Sequence, residues 1–390
     1  MKKPLSIYIH YPFCKSKCPY CDFNSHVRDG VDHARFLRAY ERELEFFAAK
    51  NPDRKITTIF FGGGTPSLMP IFLVEGILKK IAALWVIDQN CEISLEANPT
   101  SSEAEKFRAL RDIGVNRLSI GIQALNNNDL KFLGREHSSQ EAISVIETAA
   151  KIFDNFSFDL IYARPKQTLE DWEQELKRAI SFGTKHLSLY QLTIEKGTKF
   201  FSQFARKEFV MPDENLSAEF YEMTNQITSG GGFELYEISN YSQKNFECLH
   251  NLVYWQGGDY LGIGAGAHSR IYFDGTEKRQ AMTMLHEPLA WLEKVEKNGA
   301  GIQKVEEITA EELLEELILM GLRLSEGINE EIFQTHFQKN IEGIFDLKKL
   351  QILENQGLIE VANGNVKIPQ HSRLLTNAII TKVCDAVRVR

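Results

Sequence analysis

The sequence predicts an α/β fold: a partial (β/α)6 barrel on a parallel sheet, followed by a smaller, mainly helical, winged-helix-like module. Three observations predict it. From residue 5 to about 195, apolar β-rich runs alternate with amphipathic helical stretches, the pattern of a parallel sheet with right-handed crossovers. Several of those runs are almost continuously apolar, as strands covered by helices on both faces should be. From about residue 305 the character changes, and between Val305 and Leu350 eleven acids stand against four bases in helical arrangement. These shifts divide the chain into a core over 1–240, a connecting region over 241–300 and a C-terminal domain over 301–390. Six units are fewer than the eight of a closed barrel; periodicity alone leaves a doubly wound open sheet as the other arrangement.

The strands read, in order, Ser6–Tyr11, Thr57–Phe61, Glu92–Glu96, Arg117–Ile122, Ser157–Tyr162 and His186–Thr193. Between them, Phe36, Tyr40, Leu44 and Phe47 fall at i, i+4, i+8 and i+11, and Leu169, Trp172, Leu176 and Ile180 recur at threes and fours. Each spacing draws one apolar stripe along a helix. Past residue 196 the signal thins to a helix over Glu214–Ile227, a strand over Glu234–Ile238 and the glycine-rich Gly257–Gly266. A helix over Leu347–Asn355 then leads into Leu358–Ile368, a hairpin turning at Asn363-Gly364.

Composition excludes several classes. A formal net charge of -8 is not the footprint of a nucleic-acid binder. No stretch approaches the roughly 20 apolar residues that span a bilayer, so no transmembrane segment is expected. Met1-Lys2-Lys3-Pro4 runs straight into a strand without the apolar run of a signal peptide, and a cytoplasmic location is the expectation. The acidity of the last module suits protein docking, or a lid, better than DNA.

Three of the six cysteines lie within eight residues, as Cys14-Lys15-Ser16-Lys17-Cys18-Pro19-Tyr20-Cys21, directly after the first strand. In an unsecreted chain, clustered thiols bind metal more often than they form disulfides. Three local thiolates suit an iron–sulfur cubane with one iron open to another ligand; a zinc loop with a distant fourth ligand is the competing reading. After the second strand stands Phe61-Gly62-Gly63-Gly64-Thr65-Pro66, whose glycines let backbone approach a ligand. The third strand ends Leu95-Glu96-Ala97-Asn98-Pro99, which puts a carboxylate at its C-terminal end, suited to ribose hydroxyls.

These motifs resemble the radical S-adenosylmethionine (SAM) superfamily, and within it the HemN/HemW group of oxygen-independent coproporphyrinogen III dehydrogenases and related haem chaperones. The resemblance runs along nearly the whole chain. It includes Tyr8-Ile9-His10-Tyr11-Pro12-Phe13-Cys14, Ser119-Ile120-Gly121-Ile122-Gln123, Phe132-Leu133-Gly134-Arg135, Asp159-Leu160-Ile161-Tyr162 and Gly264-Ala265-Gly266-Ala267-His268-Ser269. It implies a [4Fe–4S] cluster on Cys14, Cys18 and Cys21 whose open iron chelates S-adenosyl-L-methionine, cleaved on reduction to a 5′-deoxyadenosyl radical. It implies Tyr8, Tyr20, Gly63, Gly64, Thr65, Glu96, Gln123, Arg135 and Asp159 near that SAM. One departure is Ala163-Arg164, where relatives usually carry Gly-Leu; its bulk and charge bear on ligand contacts after strand five.

Two features separate the branches. The dehydrogenases typically carry a longer N-terminal segment and a fourth cysteine where this chain has Phe23. The chain also holds His250-Asn251-Leu252-Val253-Tyr254-Trp255, matching the HNxxYW motif of the HemW-type chaperones. Imidazole is a common axial ligand to haem iron, and aromatic rings cover porphyrin faces. The resemblance therefore implies haem as a ligand, His250 as its axial residue with His268 and Cys248 as alternatives, and an unidentified haem-acceptor protein, membrane-associated acceptors included. Oxidative decarboxylation of coproporphyrinogen III is the rival expectation; radical modification of RNA is disfavoured by the acidity and the porphyrin-family motifs.

Overall fold

The sheet that the alternating pattern calls for lies at the centre of the computed structural model, which describes residues 2–388. Its strands β1 (Lys3–Tyr11), β2 (Arg54–Gly63), β3 (Val86–Ala97), β4 (Arg117–Gln123), β5 (Asn155–Tyr162) and β6 (His186–Gln191) are neighbours in that order. All five pairings are parallel, so every strand's C-terminal end opens on one side.

Helices α1 (His33–Ala48), α2 (Ile71–Leu84), α3 (Ser139–Ile152) and α4 (Leu169–Ser181) make the main crossovers, and two shorter ones, Ser101–Ala104 and Phe107–Asp112, link β3 to β4. The side chain of Asp32 caps α1 by accepting from the Arg35 N–H, and all four stripe residues, Phe36, Tyr40, Leu44 and Phe47, are buried. Each such side chain contributes about 1.5–3 kcal/mol of burial. A reciprocal Thr168/Asp171 capping box starts α4. Behind it, Trp172 stacks on Tyr162 at 4.9 Å, which fixes the helix over the end of β5.

The sheet extends past six strands on both sides. Beyond β6 lie β7 (Glu234–Leu235) and β8 (Asn240–Ser242), with β8 antiparallel to β6. Beyond β1 lies β9 (Tyr260–Ile263), a seventh parallel strand formed by the glycine-rich stretch. An antiparallel meander follows through β10 (His268–Ile271), β11 (Gln280–Met284) and β12 (Ile302–Glu307). Strands β12 and β7 are the two edges of the order β12-β11-β10-β9-β1-β2-β3-β4-β5-β6-β8-β7, so the sheet is open. The strand expected over Glu234–Ile238 stops at Leu235 because Glu237 folds its carboxylate back to accept the Ile238 and Ser239 N–H groups at 2.6 and 3.3 Å. That local bonding competes with the ladder.

Two buried charges tie the added strands to the first six. The Arg54 guanidinium, 1% exposed, pairs with Asp259 at 2.9 Å and donates to the Pro4 carbonyl. The Glu43 carboxylate, on α1, accepts from the Gly264 and Gly301 N–H groups at 2.9 and 2.7 Å and from Trp291 Nε1 at 3.1 Å. Charges this buried are costly unless they are paired and hydrogen-bonded, and the partners of Glu43 specify one docking of α1 against residues 264–301.

The C-terminal module has its own core, running from Leu314 to Ala386. Its hairpin, β14 (Glu360–Ala362) with β15 (Asn365–Lys367), turns at Asn363 and Gly364, both at positive φ (52° and 75°), and a short β13 (Ile328–Asn329) pairs with β15. Helices Ala310–Gly321, Glu330–Phe337, Ile341–Ile344, Leu347–Asn355 and Thr376–Cys384 pack around it. Among the described residues no helix is long and apolar enough to cross a membrane.

Candidate metal-cluster and cofactor site

The cysteine loop leaves the end of β1 and closes back on it through the His26 N–H, which donates to the Pro12 carbonyl at 2.7 Å. It sits over the C-terminal ends of β2 to β5, and Cys14, Cys18 and Cys21 line one cavity with Gly63, Thr65, Glu96 and Arg135. The Thr65 hydroxyl donates to Cys14 Sγ at 3.4 Å and Arg135 donates to Cys18 Sγ at 3.3 Å. Arg135 is held for this task by the Asn98 side chain and the Gly121 carbonyl, both at 2.8 Å. Burial raises the Cys14 and Cys21 thiols, so a bound cation is what would make them thiolates. No three His, Cys, Asp or Glu side chains among the described residues stand close enough to hold one metal ion. A cubane presents its irons at separate corners, so its thiolates need not converge on a point. Three cysteine sulfurs on one cavity wall are the donor type that an iron–sulfur cluster takes.

The glycines act on packing as well as on access. A Cβ on Gly63, whose φ is 113°, would lie 2.6 Å from the His10 ring, and one on Gly64 would lie 2.6 Å from the Phe13 carbonyl oxygen. Backbone pairing of Gly64 N–H to the Tyr11 carbonyl at 2.7 Å and of Thr65 N–H to Phe13 at 2.9 Å occupies the space. The GGGTP loop is thus laced directly to the strand that carries the cysteines.

Next to the cysteines stand two carboxylates. Glu96 accepts from the Gly63 N–H at 3.1 Å; burial and the neighbouring Asp159 push it up to about 8. Asp159 is pushed up to about 6 by burial, against the pull of Ser188, Arg117 and Arg135. Gln123 ends β4 at φ 72°, after a register shift between Ile120 and Gln123, a left-handed conformation that costs a non-glycine residue about 1–2 kcal/mol and places it on the cavity wall. Tyr20 lines the same cavity and packs on Phe200. Tyr8 does not line it: its hydroxyl meets His10 Nδ1 at 3.1 Å, and it faces the two adjoining cavities, which share Glu96 with the first. Arg164 faces away from the cysteines. It is 1% exposed and pairs with Glu175 at 2.6 Å and Asp129 at 2.9 Å, so the departure from the family pattern becomes an internal tie between β5 and α4.

The HNxxYW segment forms a short helix, Leu249–Trp255, whose first N–H groups are met by Glu92, with Leu249 and His250 donating at 3.2 and 3.1 Å. His250 is fully buried. Thr58 commits its hydroxyl hydrogen to Ser6, so His250 Nδ1–H donates to Thr58 at 2.7 Å and the Tyr254 hydroxyl donates to Nε2 at 2.7 Å. Burial lowers His250 to about 3, keeping it neutral, and its ring stacks on Phe60 at 5.1 Å. To reach an iron it would have to release Tyr254. Cys248 is also fully buried, its thiol pushed up to about 12. His268, by contrast, is exposed and lines a cavity of about 690 Å³ with Tyr8, Tyr254 and Tyr260.

Sequence reasoning did not single out Asn98, which bridges Arg135 to the Thr65 hydroxyl at 3.1 Å, although it lies inside the Leu95–Pro99 motif. Arg117, fully buried and donating to Ser157 at 3.0 Å, carries no sequence signal beyond its place at the start of an apolar strand.

The chain matches the Radical SAM superfamily over residues 8–179 and the HemN C-terminal domain over residues 308–375. It is 33% identical over 380 residues to "Heme chaperone HemW" of Bacillus subtilis, covering 96% of this chain and 97% of that one. It is 41% identical over 283 residues to the protein of that name from Escherichia coli, covering 72% and 74%. It is 36% identical to bovine "Radical S-adenosyl methionine domain-containing protein 1, mitochondrial", covering 91% and 81%. The solved coproporphyrinogen III oxidase HemN of Escherichia coli superposes with a TM-score of 0.81 over 98% of this chain and 90% of that one, at 22% identity; that likeness speaks to the fold.

Proposed function

The chain belongs to the radical-SAM HemN/HemW family, and on that premise we propose that it is a haem chaperone, binding haem beside a SAM-ligated [4Fe–4S] cluster and passing haem to an acceptor protein. The observation that carries this reading is where the HNxxYW helix sits. It packs behind β1 and β2 so that Tyr254 stands with Tyr8 and Tyr260 on the wall of a cavity continuous, through Glu96 and Gly63, with the cysteine site. Aromatic walls suit a flat apolar macrocycle. Phe23, where the dehydrogenase branch carries a fourth cysteine, is 59% exposed on the same wall.

In this reading Cys14, Cys18 and Cys21 hold the cluster. When bound, the cluster supplies an open iron for the amino and carboxylate groups of SAM. The remaining work belongs to the chain. Arg135 donates to the Cys18 sulfur at 3.3 Å, a hydrogen bond from a charged donor. The Gly63 backbone, Thr65, Tyr20 and Gln123 line the space beside it, and Glu96 and Asp159 offer carboxylate oxygens to ligand hydroxyls. The acidic C-terminal module serves as the docking face for the acceptor.

The test is haem titration into the anaerobically reconstituted full chain, run beside an assay with coproporphyrinogen III, SAM and a reductant. Saturable one-to-one haem binding without vinyl formation supports the chaperone. Vinyl formation with no specific haem binding would transfer the chain to the dehydrogenase branch.

A further inference from the structure

Where the C-terminal module meets the sheet, it brings cationic groups that no carboxylate of the chain answers. A cavity of about 1040 Å³ lies there, with Tyr8, His250 and Tyr254 on one wall and Arg323, Arg373 and Asn377 on another. Both walls are fixed by packing. Helix Leu249–Trp255 rests against helix Ala310–Gly321. A Cβ on Gly257, whose φ is 69°, would lie 2.1 Å from the Leu317 side chain of that helix, so the approach needs a glycine. The turn after the helix is pinned to the sheet edge, where the Ser325 N–H donates to the Tyr236 carbonyl at 3.1 Å.

Three features of the module's wall favour an anion. Arg373 is 6% exposed; its guanidinium donates to the Arg323 and Leu324 carbonyls, and its Nε meets no acceptor among the described residues. Arg323 donates to the Leu319 carbonyl and to the Asn377 side chain. Burial pulls the Arg323 pKa down, and no neighbouring acid opposes it. Helix Thr376–Cys384 begins without a side-chain cap, which leaves the positive end of its dipole unmet by any side chain. Arg373 also has a structural duty, closing the carbonyls that follow helix Ala310–Gly321. That duty occupies its two terminal nitrogens and supplies no negative charge. Cations this withdrawn from water are costly without a counter-charge, and the planar guanidinium fork matches a carboxylate.

We propose that Arg323, Arg373 and the N-terminal end of helix Thr376–Cys384 form a carboxylate-binding site for the acidic side chains of a porphyrin whose ring lies against helix Leu249–Trp255. The proposal rests on the haem-binding reading above and adds the residues that distinguish an acidic porphyrin from a neutral one. It gives the C-terminal module a part in choosing the ligand, separate from docking an acceptor.

The test is titration of haem and of its dimethyl ester, in which both carboxylates are masked, into the anaerobically reconstituted full chain. Wild type is compared with Arg323→Gln and Asn377→Asp. Wild type should bind the free acid about tenfold more tightly than the ester, the scale of one charge-assisted hydrogen bond. Both variants should lose that preference through weaker binding of the acid, with the ester held within about twofold of wild type. Asn377→Asp places a carboxylate beside Arg323 and at a helix N-terminus, where an acid is stabilising. It should therefore keep the unfolding midpoint while losing the preference, which separates recognition from folding. Metal-free protoporphyrin IX and its dimethyl ester should show the same discrimination, since the iron takes no part in it. Equal affinity of wild type for acid and ester, full acid preference in either variant, or discrimination only when iron is present overturns the assignment and leaves haem binding intact. Weakened SAM binding by R323Q with haem unaffected would give the carboxylate to SAM and overturn it as well. A wild-type chain that takes up neither porphyrin overturns the haem-binding reading and this assignment with it.

Discussion

Glu96 offers a sharp test of the proposed SAM site, because its carboxyl is pushed up to about 8 by burial and by Asp159. At pH 7 a group titrating at 8 is only about one-tenth ionised, since each pH unit is a factor of ten. If the ionised form is the one that accepts ribose hydroxyls, the apparent SAM Kd at pH 7 is about tenfold weaker than its limit. Affinity should rise about tenfold between pH 7 and 9 and flatten above. The α-amino group of SAM also titrates, near about 7.7–8.0 for such groups, so wild type must be compared with Glu96→Gln at each pH. The variant keeps the amino-group contribution and loses the carboxylate's. Calorimetry on the anaerobic, cluster-loaded protein gives the Kd, and repeating it in two buffers of different ionisation enthalpy counts the proton released from Glu96. Identical pH slopes for wild type and E96Q would refute the reasoning. The same shift has a sign for stability without ligand. A raised carboxyl contributes stability fully present below about 4.5 and lost as pH rises through about 8, so SAM should protect most strongly at the alkaline end.

Three further outcomes follow from packing and backbone geometry. Arg164→Met strands the buried Glu175 carboxylate without its 2.6 Å partner and should cost about 3–5 kcal/mol in urea unfolding; a loss under 1 kcal/mol would mean that the ion pair is idle. Gly64→Ala drives a Cβ into the Phe13 carbonyl, costing about 1–3 kcal/mol and lowering the iron bound per chain on reconstitution, and full iron content would exclude the lacing role of that glycine. Helix Glu330–Phe337 ends at an exposed Gln338 with φ 55°, so Gln338→Gly should stabilise the C-terminal module by about 1 kcal/mol. An unchanged unfolding midpoint would count against it.

What could be read in advance was whatever is written locally. The six strands, the helix stripes and the Asn363-Gly364 turn are each encoded within a dozen residues, and the cysteine spacing is a local geometric demand. What could not be read depends on partners far away in sequence. Strand β9 is four residues, Gly262 among them, in a glycine-rich run, and its place is set by pairing Ser6 with Tyr260. The hydrogen bonds of His250 reach Thr58, and no local pattern marks that both its nitrogens are taken. The strand over Glu234–Ile238 failed because one side chain, Glu237, outcompeted the ladder for its own neighbours' N–H groups. Arg164 was readable as a departure, and only the fold could say which way it points.

Asn24 has a consequence for how the two halves of the site talk to each other. Its main-chain carbonyl is held by His10, while its side chain grips the carbonyls of Ala265 and His286. Among the described residues it joins the strand beneath the three cysteines to the loops of His268 and His286. Any coupling carried through these contacts is reciprocal by thermodynamic necessity. Whatever free energy a ligand at either site were to store in the Asn24 contacts, a ligand at the other would feel to the same extent.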